Sequence, residues 1–257
     1  MIYKIEHTQT VAGLFEHWQE TIIWSCLDRI MGSIYADNIQ NPKSAMAVLG
    51  DFCFFTGVPN PELVAFKQKK AIPDFTPDFI IMIPQTPQWS DLIEKCYGSN
   101  AKKVTRYAMK KEPDIFDIEK LQQAISSLSP EYSLKLIDKD IYHLCQTTGW
   151  SRDLVSQFPD HSAYQQLGLG VAAFHNETMV SGASSYSRYK NGIEIEIDTK
   201  AEFRQKGLAY VCGAKLILEC LSRNLYPSWD AQNKISVALA EKLGYHYDHE
   251  YTAYEVK

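Results

Sequence analysis

Residues 192–223 read GIEIEIDTKAEFRQKGLAYVCGAKLILECLSR, and the fold turns on how the pattern changes within this stretch. Ile193, Ile195 and Ile197 alternate with Glu194, Glu196 and Asp198 as far as Thr199, the period of a half-buried strand. A short basic loop follows, Arg204-Gln205-Lys206-Gly207-Leu208-Ala209. From about Leu208 to Arg223 there is no proline, and Val211, Cys212, Leu216, Ile217, Leu218, Cys220 and Leu221 cover one broad face. That predicts a well-buried helix, with the interior Gly213 tolerated at a modest cost. The order strand, basic loop, helix has a physical consequence. A helix start bares backbone N–H groups at the positive end of its dipole, and a glycine beside it lets an anion approach the backbone. The loop is therefore expected to hold a phosphate. It is not one of the common nucleotide loops, because G-x-x-x-x-G-K-[ST] and G-x-G-x-x-G are both absent there.

Outward from this stretch, the second half of the chain has a regular order. Tyr132 to Ile137 alternates as a strand; Asp138 to Thr148 reads as a helix, and a second helix is expected after Ser151 as N-cap, as far as Phe158. Leu169 to His175 and Thr178 to Tyr189 read as strands around a tight turn at Asn176-Glu177, and Asn191-Gly192 is a hairpin signal leading into the Ile193 strand. After the long helix, Leu225 to Ala231 is extended, Asn233 caps a helix over Lys234 to Leu243, and Gly244 stops it. Two terminal strands, Tyr245–Asp248 and Tyr251–Val256, complete the order.

The first half has an α/β pattern without a motif that carries chemistry. Apolar helical spacing runs from Leu14 to Ile30, a hairpin is expected over Ala45–Leu49 and Phe52–Phe55, and Pro61 to Lys70 reads as a helix. Phe79 to Ile83 is a short strand between prolines, Gln88 to Tyr97 a helix with Ser90 as N-cap, and Lys102 to Met109 a strand; Pro73, Pro77, Pro84 and Pro87 punctuate turns. Ser126 to Pro130 is the best linker, which predicts domains over 1–127 and 128–257.

Bulk properties limit the function. Apolar content of 45% and charged content of 22% suit a globular chain that buries a large core. A net charge of −5 argues against a general nucleic-acid or anionic-membrane binder, so the basic loop is a local feature on an acidic protein. Six cysteines without C-x-x-C read as reduced core thiols, and no signal-like or membrane-length apolar run is present, so a cytoplasmic protein is expected.

The loop, with the strand before it, fits R/Q-x-x-G-x-G/A, with Arg204, Gly207 and Ala209 in the signature positions; the tail Asn233, Ser236, Leu243, Gly244, Tyr245 fits N-x-x-[AS]…L-G-[FY]. Both, with the element order over residues 130 to 257, resemble the GCN5-related N-acetyltransferases (GNAT). The run Pro227-Ser228-Trp229-Asp230…Asn233…Ser236…Leu243-Gly244 is similar, more narrowly, to the subgroup that includes zwittermicin-resistance acetyltransferases. The resemblance implies an α/β (α+β) fold with a mixed, mostly antiparallel, splayed central sheet flanked by helices. It further implies acetyl-CoA as co-substrate, without a metal, and transfer to a primary amine by direct attack in a ternary complex. The N-terminal 1–127 is expected to be structural or to shape the acceptor site. Its recurring helix–hairpin–strand order raises the expectation of a degenerate copy of the same fold.

By the same resemblance, Ile197, Asp198 and Thr199 pair through their backbone with the pantetheine arm. Amides from Gln205 through Lys206, Gly207 and Leu208 to Ala209 hold the diphosphate, Arg204 and Lys206 add charge, and Asn233 and Ser236 approach the pantetheine or thioester. Attack by an amine needs a base and a donor for the leaving thiolate. Glu194 and Glu196, on one strand face, are the expected bases, since partial burial raises a carboxylate pKa toward neutrality; a solvated strand face is the alternative for each. The family often carries a tyrosine seven residues after the capping asparagine, and here that position is Ala240, which leaves Tyr245, Tyr247 or water as the acid. Trp229 and Asp230 are candidate acceptor contacts, alternatively a buried indole beside a capping carboxylate, and Asn233 is as well explained as a plain helix cap. His246 and His249 have ligand-like spacing but no third partner nearby. A small cationic acceptor suits a mildly acidic chain. A catalytically silent acyl-CoA-binding module and a structural or regulatory protein without a cofactor are the rivals.

Overall fold

The computed structural model describes residues 1–66 and 79–257. They form two compact units, Met1–Arg106 with Glu250–Lys257, and Tyr107–His249.

In the first unit, β1 (Tyr3–Lys4) is followed by two 3₁₀ turns and α1 (Thr21–Leu27), then β2 (Ser33–Ala36), β3 (Ser44–Leu49), β4 (Phe52–Gly57) and α2 (Pro61–Val64). The remainder of the helix expected to Lys70, with Pro73 and Pro77, lies outside the described residues. β5 (Ile80–Pro84), α3 (Pro87–Tyr97) and β6 (Ala101–Met109, entering the second unit) come next. α3 starts earlier than Ser90 predicts, because Pro87 occupies its first turn, where a missing N–H costs nothing. The pairs β1–β2, β2–β3 and β3–β4 are antiparallel, and β4–β5 is parallel. Its core gathers Met46, Phe55, Leu63, Ile93, Trp89 and Tyr254.

The second unit continues with α4 (Ile118–Ser126), β7 (Tyr132–Leu136), α5 (Lys139–Thr147), a 3₁₀ segment at Gly149–Leu154, α6 (His161–Leu167), β8 (Gly170–His175), β9 (Thr178–Tyr189) and β10 (Gly192–Thr199). Then come α7 (Leu208–Leu221), β11 (Tyr226–Ser228), β12 (Asp230–Ala231), α8 (Lys234–Leu243) and β13 (Tyr247–Val256), one long strand where two short ones were expected. Its sheet runs β7-β8-β9-β10-β11, antiparallel except for the parallel β10–β11 pair. The expected helix after Ser151 is instead the 3₁₀ segment, and the Ser151 hydroxyl donates to the Thr148 carbonyl rather than capping. Asp138, Asp160 and Asn233 do cap, accepting from Ile141, Ala163 and Ser236 amides.

The units divide at 106/107 and 249/250, not at 127/128. The reason is α4: its apolar stripe, with Leu121 and Ala124, packs on α7 in the second unit's core, so the polar run after it is a turn inside that unit. α7 is covered by the sheet, α4 and α8, which is why its sequence is apolar almost all round. Fully burying Leu216 and Ile217 is worth roughly 1.5–3 kcal/mol each. The Ile face of β10 meets α7, and the face opposite is covered by the 149–154 segment.

Candidate functional site

The site is built where β10 hands over to α7. β10 pairs with β11 over three residues only, Gly192 with Tyr226, Ile193 with Pro227 and Glu194 with Ser228. The chain then leaves at Trp229, and Asp230 and Ala231 pair instead with Ala108 and Tyr107. Ile197, Asp198 and Thr199 keep ladder partners on β9, namely Ala183, Gly182 and Ser181, and none on β11. The two parallel strands thus splay from Glu194 onward, leaving a backbone edge along which an extended amide-bearing arm can pair.

At the end of that edge the loop is braced. The Arg204 Nε donates to the Thr199 carbonyl at 3.1 Å, and its guanidinium lies 3.7 Å from Asp198 Oδ1, which also accepts the Thr199 amide at 2.6 Å. Burial raises the Asp198 carboxyl above its usual range, against the pull of the Thr199 amide and Arg204. Arg204 is therefore first a strut and only second a source of positive field. Lys206 sits with its ammonium 4.6 Å from the Phe203 ring centre.

Gln205 (φ 62°) and Gly207 (φ 79°) both take the left-handed conformation, which turns successive amides toward one side, and Gly207 is the N-cap of α7. The first intrahelical bond is Val211 N–H to the Gly207 carbonyl. Among the described residues the amides of Gln205, Lys206, Gly207, Leu208, Ala209 and Tyr210 have no protein acceptor. A Cβ built on Gly207 would meet no atom within 4 Å. So a run of unpaired donors, at the positive end of a 14-residue helix, opens onto free space at Gly207. The Tyr210 amide extends the expected set by one, as any third helical position would.

Glu194 and Glu196 lie on the strand face turned away from α7, with Asp198. Glu194 is only 8% exposed, so it is not the solvated residue of the alternative reading; Glu196 is half-buried. A β-bulge at Tyr186 of β9, between the pairs Glu194–Ser187 and Ile195–Ser185, falls where the splay begins.

The remaining expected residues fall together nearby but with structural duties. Trp229 is buried, lies tilted against Tyr245 with ring centres 5.5 Å apart and donates its indole N–H to the Ser236 hydroxyl at 3.1 Å. Asn233 accepts the Ser236 amide at 2.9 Å as the N-cap of α8. Asp230 pairs through its backbone with Ala108. Tyr245 is 1% exposed and donates its hydroxyl to the Pro227 carbonyl; burial holds its phenol well above the ordinary pKa. Its place is the core, with its hydroxyl committed to the Pro227 carbonyl. Ala240 is buried in the same core, while Tyr247 is exposed. Burial pushes the thiols of Cys212 and Cys220 up to about 12, as inert core residues require. His246 lies 2.7 Å from Glu112 and His249 3.1 Å from Asp248. Ser187 and Ser228 flank Glu194 on either side; sequence reasoning passed over Ser187, for which the serine-rich run Ser181 to Ser187 is the available signal.

An open helix start stands beside a splayed parallel strand pair, and this chain belongs to the GNAT acetyltransferase family, which residues 12–254 match. It is an acyltransferase, and acetyl-CoA is the co-substrate of that family. It is similar to a GCN5-related N-acetyltransferase-like protein of Streptococcus suis 89/1591, 46% identical with a TM-score of 0.91 over 98% of this chain and 99% of the other. It is 28% identical to the uncharacterized N-acetyltransferase YdfB of Bacillus subtilis (strain 168), over 91% of this chain and 89% of that one. A tandem GNAT protein from the clavulanic acid biosynthesis pathway shares the fold over 99% of this chain and 98% of its own, at 9% identity and TM-score 0.55. No helix among the described residues is long and apolar enough to cross a membrane.

Proposed function

We propose that the chain transfers an acetyl group from acetyl-CoA to a primary amine of a small molecule, by direct attack within a ternary complex. The observation that carries the reading is the run of unsatisfied amides from Gln205 to Tyr210 over open space at Gly207. These amides take the diphosphate, with Arg204 and Lys206 contributing charge. The edge Ile197–Thr199 pairs with the pantetheine amides, with Asn233 and Ser236 near its far end, which brings the thioester to the point where β10 and β11 part. There Glu194, or Glu196 one turn of the pleat away, takes the ammonium proton. The amine nitrogen then bonds to the acetyl carbon, the carbon–sulfur bond breaks, and the proton that the nitrogen gives up passes through water to the departing thiolate, since Tyr245 is committed to Pro227. Residues 107–249 carry this chemistry, and the first unit serves as a structural or acceptor-shaping partner. A narrower kinship with the zwittermicin-resistance acetyltransferases and a cytoplasmic setting belong to the same reading.

A second reading has a specific observation behind it: Ala240 stands, buried, where the family often places a tyrosine acid. On that reading the chain binds acyl-CoA without turnover. Thermal shift with acetyl-CoA, then free-thiol release over a panel of amines, separates the two. Ligand at 100 times its Kd stabilises by about 2.7 kcal/mol. A shift with thiol release supports transfer, a shift without release supports the silent module, and no shift removes both. Glu194→Gln that leaves turnover at the wild-type level at all pH values removes Glu194 as base.

A further inference from the structure

Glu194 sits in a row of three side chains that crosses the sheet. Ser187 of β9 opposes it on one side and Ser228 of β11 on the other, and directly opposed residues share a sheet face. The row lies beside the bulge and marks the last pair before the strands splay. Ser228 is engaged, its hydroxyl 2.9 Å from that of Tyr189. Ser187 is fully buried and its Oγ has no hydrogen-bond partner among the described residues. A buried unpartnered hydroxyl is a cost that an alanine would avoid, so its presence calls for an occasion on which the hydroxyl is used. Opposed Cβ atoms in an antiparallel pair lie about 4.5–5.5 Å apart, which puts a serine hydroxyl within one rotamer step of its neighbour's carboxylate.

We propose that Ser187 is a positioning residue for Glu194, turning its hydroxyl to donate to the carboxylate when that group is ionised and so holding it aimed at the mouth of the splay. No covalent step is involved; the hydroxyl keeps its proton throughout. The inference rests on the reading of Glu194 as base, and it deepens that reading. Other groups face the same carboxylate. Tyr189 on β9, Tyr226 on β11 and Tyr245 all feel its charge. Arg152 and Asp153 stand on the 149–154 segment packed over β9 and β10, and Glu196 lies on the same strand. Arg188, opposite Ile193, is on the other face, near Cys220 of α7. Ser187 differs from all of these in having no competing partner.

The test uses the full chain with ¹³C-labelled glutamate carboxyls, the Glu194 signal being assigned by its loss in Glu194→Gln. Removing a donor to the charged form raises a carboxyl pKa, so Ser187→Ala is expected to move the Glu194 midpoint up by about one pH unit. The acid limb of kcat/KM moves with it, which lowers activity roughly tenfold one unit below the wild-type limb. Ser187→Thr restores both. Below the Glu194 midpoint the thermal stability of Ser187→Ala is expected to be unchanged or higher, because a buried unsatisfied group has gone; above it the lost donor to the ionised carboxylate subtracts from that gain. An unchanged Glu194 midpoint overturns the proposal, whatever happens to turnover. If Glu194→Gln is fully active, the base assignment falls, while the midpoint in Ser187→Ala still decides the Ser187–Glu194 contact. Should the alanine variant fail to fold, Ser187→Cys keeps the volume with a weaker donor and is read the same way.

Discussion

The two units carry the same strand scheme, three antiparallel pairs followed by one parallel pair, and they differ at the point where the fourth strand ends. In the first unit β4 pairs with β5 along Phe52, Cys53, Phe54 and Phe55, so the parallel strands stay zipped. In the second, the corresponding pairing stops after three residues and the strands part. A left-handed glycine with φ 79° stands at the end of each fourth strand's path, Gly57 as the last residue of β4 and Gly207 beyond β10 as the N-cap of α7. A Cβ on Gly57 would lie 2.2 Å from the Lys43 carbonyl oxygen, whereas one on Gly207 would touch nothing. Most amides at the end of β4 and after it are also satisfied: Gly57 donates to Gln85 Oε1, Val58 to the Lys43 carbonyl and Glu62 to Asn60 Oδ1, while Pro59 and Pro61 have no N–H to offer. On the proposed reading the first unit, closed on itself, is a scaffold, and the second, with its hydrogen-bond donors left bare, is a binding site; what separates them is the absence of internal partners rather than the topology.

Gly207→Val gives the sharpest break in this comparison. There is room for the side chain, so only the left-handed backbone resists, at a cost of about 1–2 kcal/mol. The ligand's approach is blocked, and isothermal titration is expected to show acetyl-CoA binding at least about 100-fold weaker, on the scale of losing two or more charge-assisted bonds. Gly57→Ala should do the reverse. It strains the backbone and overlaps a carbonyl, so a loss of roughly 3 kcal/mol in denaturant unfolding is expected, with acetyl-CoA affinity unaltered. If Gly57→Ala instead weakened the ligand and spared stability, the contrast between the units would fail.

Smaller effects refine it. Tyr245→Phe removes the hydrogen bond to the Pro227 carbonyl and is expected to lower stability by about 1 kcal/mol while turnover persists; a turnover loss beyond about tenfold would restore Tyr245 as the acid. Smallest is Glu219 on α7. Burial works to raise its carboxyl, but hydrogen bonds from Lys215 and Arg223 hold it below the usual range. A depressed folded-state pKa means stability that is present above the unfolded pKa and lost as pH falls through the folded one. Glu219→Gln should therefore cost about 0.5–1 kcal/mol at neutral pH and nothing once the wild-type carboxyl is protonated, read as converging unfolding midpoints in acid.

Whatever depends on neighbours along the chain is legible in the residues alone. The alternation at Ile193–Asp198, the apolar α7, the caps at Asp138 and Asn233 and the basic loop are local patterns, and each fixed its element with the glycine and the amides in place. Tertiary structure decided what depends on distant partners. Whether β10 stays paired beyond Glu194 is set by where Trp229 turns and by Ala108 as the new partner of Asp230. Whether Glu194 is buried depends on the 149–154 segment over it, and whether Tyr245 has a free hydroxyl depends on Pro227. The end of the last strand belongs with the first unit because Tyr254, Glu255 and Val256 pair with Met82, Ile81 and Ile80. Backbone hydrogen bonds between strands carry no mark of their partner in either sequence, so periodicity can name a strand but only the folded chain shows what it pairs with and where that pairing ends.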